Sequence, residues 1–522
     1  MQTKITYATM SADRMEDLHR ELDRAIEHVA STFGKSYPLL IGGREVRGPH
    51  EFDDRSPIDT RTLLGRFQSA GPAEVQQAVA AARAAYPAWS TRGWRDRVVV
   101  MKRVADGIRA RRWELSALMG YEAGKNRIEC VGDVEESADL IEYYADQLAA
   151  HQGFEVTLGA LGPNEDNRSV LRPYGVWAVI APFNFPLALA AGPAGAALVA
   201  GNTVVFKPAS VTPLVGYTLA VIMAEAGVPA GAFNFVTGSG GTAGRELVDH
   251  GDVDGVVFTG SKDVGMRLIR DNAARPTPRP LVIEMGGKNP AIVMPSADLA
   301  KATDGVMRSA FGAQGQKCSA CSRVYVARPT HDEFLQTLVD KTKKLTIGNP
   351  LHRDVYLGPV ISEDAVHTYE RAVARATADG GRVLTGGRRL TSGEFAHGFF
   401  VEPTIIDGLP TNHPLFDEEL FVPITFVAEV RALDDAIELA NRTEYGLTAG
   451  IFSEDEKEIA QFFDQILAGV TYANRRAGAT TGAWPGINSF GGWKASGSTG
   501  RGSGGPYYLQ QFMREQSRVR IR

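Results

Sequence analysis

Cysteine is scarce in this chain: Cys130, Cys318 and Cys321 are the only three among 522 residues. That is too few for a disulfide framework and fits a reducing compartment. Cys318 and Cys321 form one C-x-x-C, but no second pair and no His-x-x-x-His spacing accompanies it, so no metal site is expected. Charge of one sign is lacking too. There are 56 Lys and Arg against 61 Asp and Glu, for a net charge of -5. Without a basic stripe, nucleic acid is not an expected partner. Long hydrophobic runs are absent. The most apolar stretch, 176–201, is broken by Pro182, Asn184, Pro186 and Pro193, well short of a bilayer span. The first ten residues contain no apolar segment of the kind that secretory signals carry. A soluble, cytoplasmic protein with no membrane partner is expected, and no internal repeat or low-complexity tract complicates the reading.

What is present suits a large globular protein. Hydrophobic residues make up 44% and charged residues 22%, ordinary values for a soluble protein, and the length suggests two or three domains. Residues 11–33 space Leu18, Leu22, Ile26 and Val29 as an amphipathic helix. A hairpin is expected around Gly42-Gly43, then helices over 73–86, 94–123 and 128–149. From residue 170 strands alternate with helices: strands at 175–180, 202–206, 233–236 and 255–258, helices at 187–200, 214–226 and from Thr242. This alternation predicts an α/β protein with a parallel, doubly wound sheet. A second alternating block is expected to begin near Leu281-Val282-Ile283-Glu284, with helices at 300–311, 331–345 and 433–441 and a strand at 424–427.

Five segments carry chemistry. In Gly315-Gln316-Lys317-Cys318-Ser319-Ala320-Cys321 a cysteine sits in a polar, small-residue stretch beside a lysine. A nearby cation favours the thiolate, so Cys318 reads as a nucleophile, although isolated cysteines are commonly buried core residues. Cys321 reads as structural. Phe235-Val236-Thr237-Gly238-Ser239-Gly240-Gly241-Thr242-Ala243-Gly244 runs a strand into a glycine-rich turn, which lets backbone approach a pyrophosphate at a helix start, or simply packs closely. Lys207 ends the strand Thr203-Val204-Val205-Phe206, where ligands bind in such sheets. Asn184, in Ala181-Pro182-Phe183-Asn184-Phe185-Pro186, can donate to a developing oxyanion, or serve only the turn. Glu284 closes an apolar strand before Met285-Gly286-Gly287-Lys288; partial desolvation would raise its pKa and suit it to a general base. Together these parts compose one reaction: a thiolate attacks an aldehyde, an amide and a backbone N–H hold the oxyanion, a nicotinamide takes hydride, and a glutamate activates water against the thioester.

From about residue 37 onward the motifs resemble, in order, those of the NAD(P)-dependent aldehyde dehydrogenase superfamily. The resemblance implies Cys318 as nucleophile, Glu284 as general base and Asn184 as oxyanion ligand, with the Cys318 N–H assisting. It implies cofactor contacts from Ile180, Phe183, Lys207, Ser210, Gly240, Gly244, the run Phe258, Thr259, Gly260 and Ser261, and Glu419 and Phe421 in Asp417-Glu418-Glu419-Leu420-Phe421-Val422-Pro423. The family pattern has glycine where Val422 stands and tryptophan where Phe183 stands. Within the superfamily, Glu122-Ala123-Gly124-Lys125, Lys317-Cys318-Ser319, the Thr481-Gly482-Ala483 to Phe490-Gly491-Gly492 spacing and Gly504-Gly505-Pro506-Tyr507-Tyr508-Leu509 are similar to the 1-pyrroline-5-carboxylate (L-glutamate γ-semialdehyde) dehydrogenase group. That implies substrate binding by Lys317, Ser319, Gly482, Ala483 and Phe490, although residues 476–480 make the approach to Thr481-Gly482-Ala483 longer than in the group's pattern. Another short or carboxylated aldehyde is the alternative substrate. A catalytically silent binding protein is the alternative of a different class.

The cofactor expected is NAD, with NADP tolerated because Ser210 stands where many NAD-preferring relatives carry an acid. The resemblance also implies two doubly wound α/β domains and a β oligomerisation arm. The NAD-binding domain would comprise 1–150 and 173–283, the catalytic domain 284–490, and the arm and tail 151–172 and 491–522. Subunits would pair as a homo-oligomer, at least a dimer.

Overall fold

The computed structural model describes residues 12–478 and 484–522. Among the described residues two seven-stranded sheets dominate. The first places Gly255–Thr259, Val176–Ile180, Thr203–Lys207 and Phe233–Phe235 side by side in parallel, with Leu281–Glu284 on one edge. On the other edge lies the antiparallel hairpin Leu39–Ile41 and Arg44–Val46. Its turn residues Gly42 and Gly43 both have positive φ, 61° and 75°, the conformation a two-residue hairpin demands.

Successive residues of the central strands enter opposite apolar layers. Val176, Ala178 and Val205 face one layer, while Trp177, Val179, Val204 and Phe206 face the other. Both faces are covered, as continuous apolar strands of a parallel sheet require. Helices Trp94–Ala110, Arg112–Ala123, Arg127–Ala150 and Ala188–Ala200 contribute to the second of these layers.

The second sheet orders Arg382–Thr385, Thr404–Asp407, Ile424–Val430, Cys321–Ala327, Asn289–Val293, Thr448–Phe452 and Val470–Ala473. All pairs are parallel except the Arg382–Thr385 edge. It too divides its side chains between layers, Ile292 and Tyr325 on one face, Ala291, Val293, Val324 and Val326 on the other. A separate three-stranded antiparallel sheet joins Glu155–Thr157, Glu165–Pro173 and the C-terminal Met513–Ile521.

Three local expectations change. The 94–123 stretch is two helices, parted at Arg111, where φ is -100° and the chain turns. The helix expected from Thr242 starts instead as a wide turn, Gly240–Gly244, and becomes α-helical over Arg245–Asp249; Ser239 Oγ accepts from the Thr242 N–H at 3.1 Å and caps it. Leu281–Glu284 does not open the second block. It pairs with Gly255–Thr259 and finishes the first sheet, because its apolar residues Val282 and Ile283 complete the two layers there.

Candidate active site

The site forms where the chain passes from the first sheet to the second. Strand pairing aligns the carboxyl ends of the first sheet: Lys207 lies opposite Ile180, Ile180 opposite Phe258, and Thr259 opposite Glu284. Ligands bind at this edge in open α/β sheets. Five residues after Glu284, Asn289 begins a strand of the second sheet beside Cys321, so Cys318 sits at the entry edge of that sheet.

Glu284 is half-buried, and Gly492 donates its N–H to Oε2 at 3.3 Å. Burial dominates over that hydrogen bond and raises the carboxyl to about 8. Glu419 behaves similarly: burial lifts it to about 7 against the stabilising N–H of Gly287 at 2.9 Å. The double glycine is what lets these groups converge. A β-carbon on residue 287 would stand 2.5 Å from the Cys318 carbonyl oxygen.

Cys318 is half-buried. Burial, then the Glu419 and Glu284 carboxylates, push its thiol up to about 12, so the resting group is the thiol. The charge of the Lys317 ammonium is felt first by Glu129 and then by Cys318. The buried lysine side chain turns back, with Nζ 3.4 Å from the Arg308 carbonyl, close to the Glu129 carboxylate across Gly312. The loop before Cys318 is strained: Ala313, Gln314 and Gly315 all have positive φ, a conformation that persists only where surroundings over-determine it. Those surroundings are Glu129 Oε1, which accepts the Ala313 N–H at 2.8 Å, and the Gly124 carbonyl, which accepts Gln314 Nε2 at 3.1 Å. Asn289, within the Gly286-Gly287-Lys288-Asn289 segment but not singled out from sequence, donates Nδ2 to the Cys318 and Ala320 carbonyls at 2.7 and 2.9 Å.

Asn184 is buried, and Nδ2 donates to the Gln316 carbonyl at 2.9 Å. A carboxamide has two N–H donors, so one remains for an oxyanion beside Cys318. Cys321 is buried in the layer with Ala310 and Phe311, its thiol on the Arg323 carbonyl at 3.6 Å. Ser319 is buried next to Cys318, and Phe490 bridges Ser503 with its ring packed against the first sheet's helical layer. Gly482 and Ala483 lie outside the described residues.

The groups expected around a cofactor line the other flank. Lys207 is buried, which lowers its ammonium to about 8, and Nζ donates to the Pro208 carbonyl at 2.8 Å. An ammonium offers three donors, so Lys207 retains capacity for ligand hydroxyls. A β-carbon on Gly240 would meet nothing within 4 Å, and Gly244 packs on the Lys207 stem. Ser210 Oγ donates to the Gly238 carbonyl at 2.9 Å. Ser261 precedes helix Lys262–Ala273, and Gly260 adjoins the Phe258 ring. Phe183 meets Phe421 edge-on with ring centroids 5.8 Å apart, and Phe421 has φ of 58°, uncommon for a bulky residue. An open glycine turn, a buried lysine with spare donors and a half-buried aromatic pair along one sheet edge fit a dinucleotide.

The sequence pattern of the aldehyde dehydrogenase family matches residues 45–517, and the chain belongs to that family. Within it, the chain is similar to the 1-pyrroline-5-carboxylate dehydrogenase of Geobacillus sp. (strain WCH70), 37% identical over 519 residues that cover 98% of this chain and 97% of the relative. A crystal structure of 1-pyrroline-5-carboxylate dehydrogenase from Thermus with bound NAD superposes with a TM-score of 0.93 at 33% identity, covering 98% of both chains. Proline utilization A from Bdellovibrio bacteriovorus matches with a TM-score of 0.93 at 34% identity over all of this chain, which spans 54% of that longer protein. Among the described residues no helix is long and apolar enough to cross a membrane.

Proposed function

We propose that this protein oxidises L-glutamate γ-semialdehyde, the open form of 1-pyrroline-5-carboxylate, to L-glutamate with NAD. The observation that carries the proposal is the convergence of Cys318, Asn184, Glu284 and Glu419 at the junction of the two sheets. Likeness to relatives named for this activity, at 37% identity over nearly the whole chain, supports the substrate class.

The Cys318 sulfur, on losing its proton, attacks the aldehyde carbon and forms a C–S bond. The free N–H of the Asn184 carboxamide and the Cys318 backbone N–H hold the resulting oxyanion. Lys207, Ser210, Gly240, Gly244, Ile180, Phe183, the segment 258–261, Glu419 and Phe421 would hold NAD. When bound there, NAD supplies the two-electron acceptor for the hydride of the tetrahedral carbon, which leaves a thioester on Cys318. Glu284 as carboxylate then takes a proton from water, whose oxygen bonds to the thioester carbon. The C–S bond breaks, the carboxylate product leaves and the sulfur regains a proton. Ser319 with Gly482 and Ala483 would take the substrate's α-carboxylate through hydroxyl and backbone donors. Phe490 would cover its aliphatic part, while Lys317 serves the loop.

Exposed apolar residues Val156, Val519 and Ile521 on the three-stranded antiparallel sheet, with Leu158 just past its first strand, support its use as an arm that pairs subunits. NADH formation from L-glutamate γ-semialdehyde, beside propanal and succinic semialdehyde, tests the substrate. A large preference for the first is the expected result. Equal or better turnover of the others would leave the aldehyde chemistry standing and overturn the substrate.

A further inference from the structure

The corner between helices Arg112–Ala123 and Arg127–Ala150 has the geometry of a brace. Gly124 ends the first helix at φ 69°, and Asn126 caps the second through the Glu129 N–H. Lys125, between them, is only 2% exposed, and its counter-ion Asp133 is fully buried. The Lys125 ammonium meets Asp133 Oδ2 at 2.7 Å, donates to the backbone carbonyl of Asn184 at 3.0 Å, and lies 3.9 Å above the Phe185 ring. The other oxygen of Asp133 accepts the Ala188 N–H at 2.8 Å, where helix Ala188–Ala200 begins. Both ends of the turn carrying Asn184 are therefore gripped by one ion pair. The same corner holds the nucleophile loop, through the Gly124 carbonyl to Gln314 and through Glu129 to Ala313.

A buried ion pair is a poor way to gain stability, since apolar residues of similar volume do as well or better. What it supplies is direction. Small misplacements of a reacting group cost rate steeply, and the Asn184 carboxamide reaches both the Gln316 carbonyl and the space beside Cys318 only while its backbone is held.

We propose that Lys125, with Asp133 as its counter-ion, is a positioning residue that sets the Asn184 carboxamide against the nucleophile loop. This rests on Asn184 acting as the oxyanion donor. The test is a mutant cycle in the full-length enzyme, comparing K125M/D133N, N184A and the triple variant by steady-state kinetics, with NAD affinity measured separately. The charge-neutral pair K125M/D133N leaves no lone buried ion. It should lower kcat about tenfold or more, with the aldehyde KM and NAD affinity nearly unchanged. Adding N184A should cost nothing beyond N184A alone, because the two act through one group. Should that pair not fold, K125R keeps the charge and the ion pair but shifts the donor. It should lower kcat severalfold under the same ceiling. Losses that multiply, a wild-type kcat in the Lys125 variants, or a kcat loss that follows NAD affinity would overturn the proposal. A wild-type kcat in N184A would overturn the oxyanion assignment itself and this proposal with it.

Discussion

Glu419 occupies space that a side chain on Gly286 would need: a β-carbon there would stand 1.8 Å from the Glu419 Oε2. The clashing atom is the tip of a flexible side chain held by the Gly287 N–H. Gly286→Ala should therefore swing the carboxylate away rather than unfold the protein. With Glu419 among the groups proposed to hold NAD, the KM for NAD should rise about tenfold or more, the worth of a charged hydrogen bond, while Tm moves little. Cofactor titration beside thermal melts checks this; an unchanged KM would remove Glu419 from the cofactor site.

Glu284 is the group whose protonation should govern hydrolysis. Its folded-state pKa lies near 8, above the ordinary carboxylate value, because it is buried. The active carboxylate form thus accumulates as pH rises, and kcat should climb through an apparent pKa near 8 and level above it. Glu284→Gln should abolish that limb and lower kcat by about 10²–10⁴, yet still release one NADH per site in a rapid burst if acylation does not need the carboxylate.

Asp54 and Glu122 form a buried pair of carboxyls away from the chemistry. Glu122 accepts the Leu214 and Val215 N–H groups at the start of helix Pro213–Glu225. Burial raises Asp54 to about 7 and Glu122 well above its usual value, the latter also through the neighbouring Asp54 charge. The sign is the reverse of a salt-bridged acid. The folded state holds a proton that the unfolded chain releases near pH 4, so stability falls as pH rises from about 4 through about 7. Asp54→Asn should match the wild type near pH 4 and exceed it at pH 8 by on the order of 2–4 kcal/mol. Denaturant melts at the two pH values measure the difference.

The two neighbouring cysteines should separate cleanly. Cys318→Ala should abolish turnover. Cys321→Ala should retain it with a stability loss of about 1–2 kcal/mol for the small void left in the core. A dead Cys321 variant that still folds would reverse the assignment.

Ser210 carries no charge to repel a 2′-phosphate, and its hydroxyl is turned to the Gly238 carbonyl. NAD should be preferred with NADP still turned over. Ser210→Glu should depress NADP turnover about tenfold more than NAD turnover, by like-charge repulsion at close range. Parallel kcat/KM values for the two cofactors decide it.

Much of the candidate site could be read from the residues because its signals are local. Cys318 in a small-residue loop, Glu284 closing an apolar strand and Lys207 ending another each announce themselves within a few positions. The strand alternation likewise exposed the first parallel sheet, since apolar runs of about five residues between helices have few other uses; of the second sheet it marked only the strand at 424–427. The direction of the Lys317 side chain was not legible. Its neighbour in sequence is Cys318, yet the buried ammonium also serves Glu129 and the Arg308 carbonyl.

By itself, then, the sequence determined which chemical groups are available and the order in which strands and helices deliver them. Only the tertiary structure decided that Glu419 packs on Gly286, that Asn289 ties the Cys318 loop, and that Lys125 and Asp133 grip the Asn184 turn. These partners lie tens to more than a hundred residues apart, and no local periodicity encodes which distant loops will meet. Burial, which drives Glu284 up to about 8 and the Cys318 thiol to about 12, arises only when both sheets close on the junction and exclude water from it.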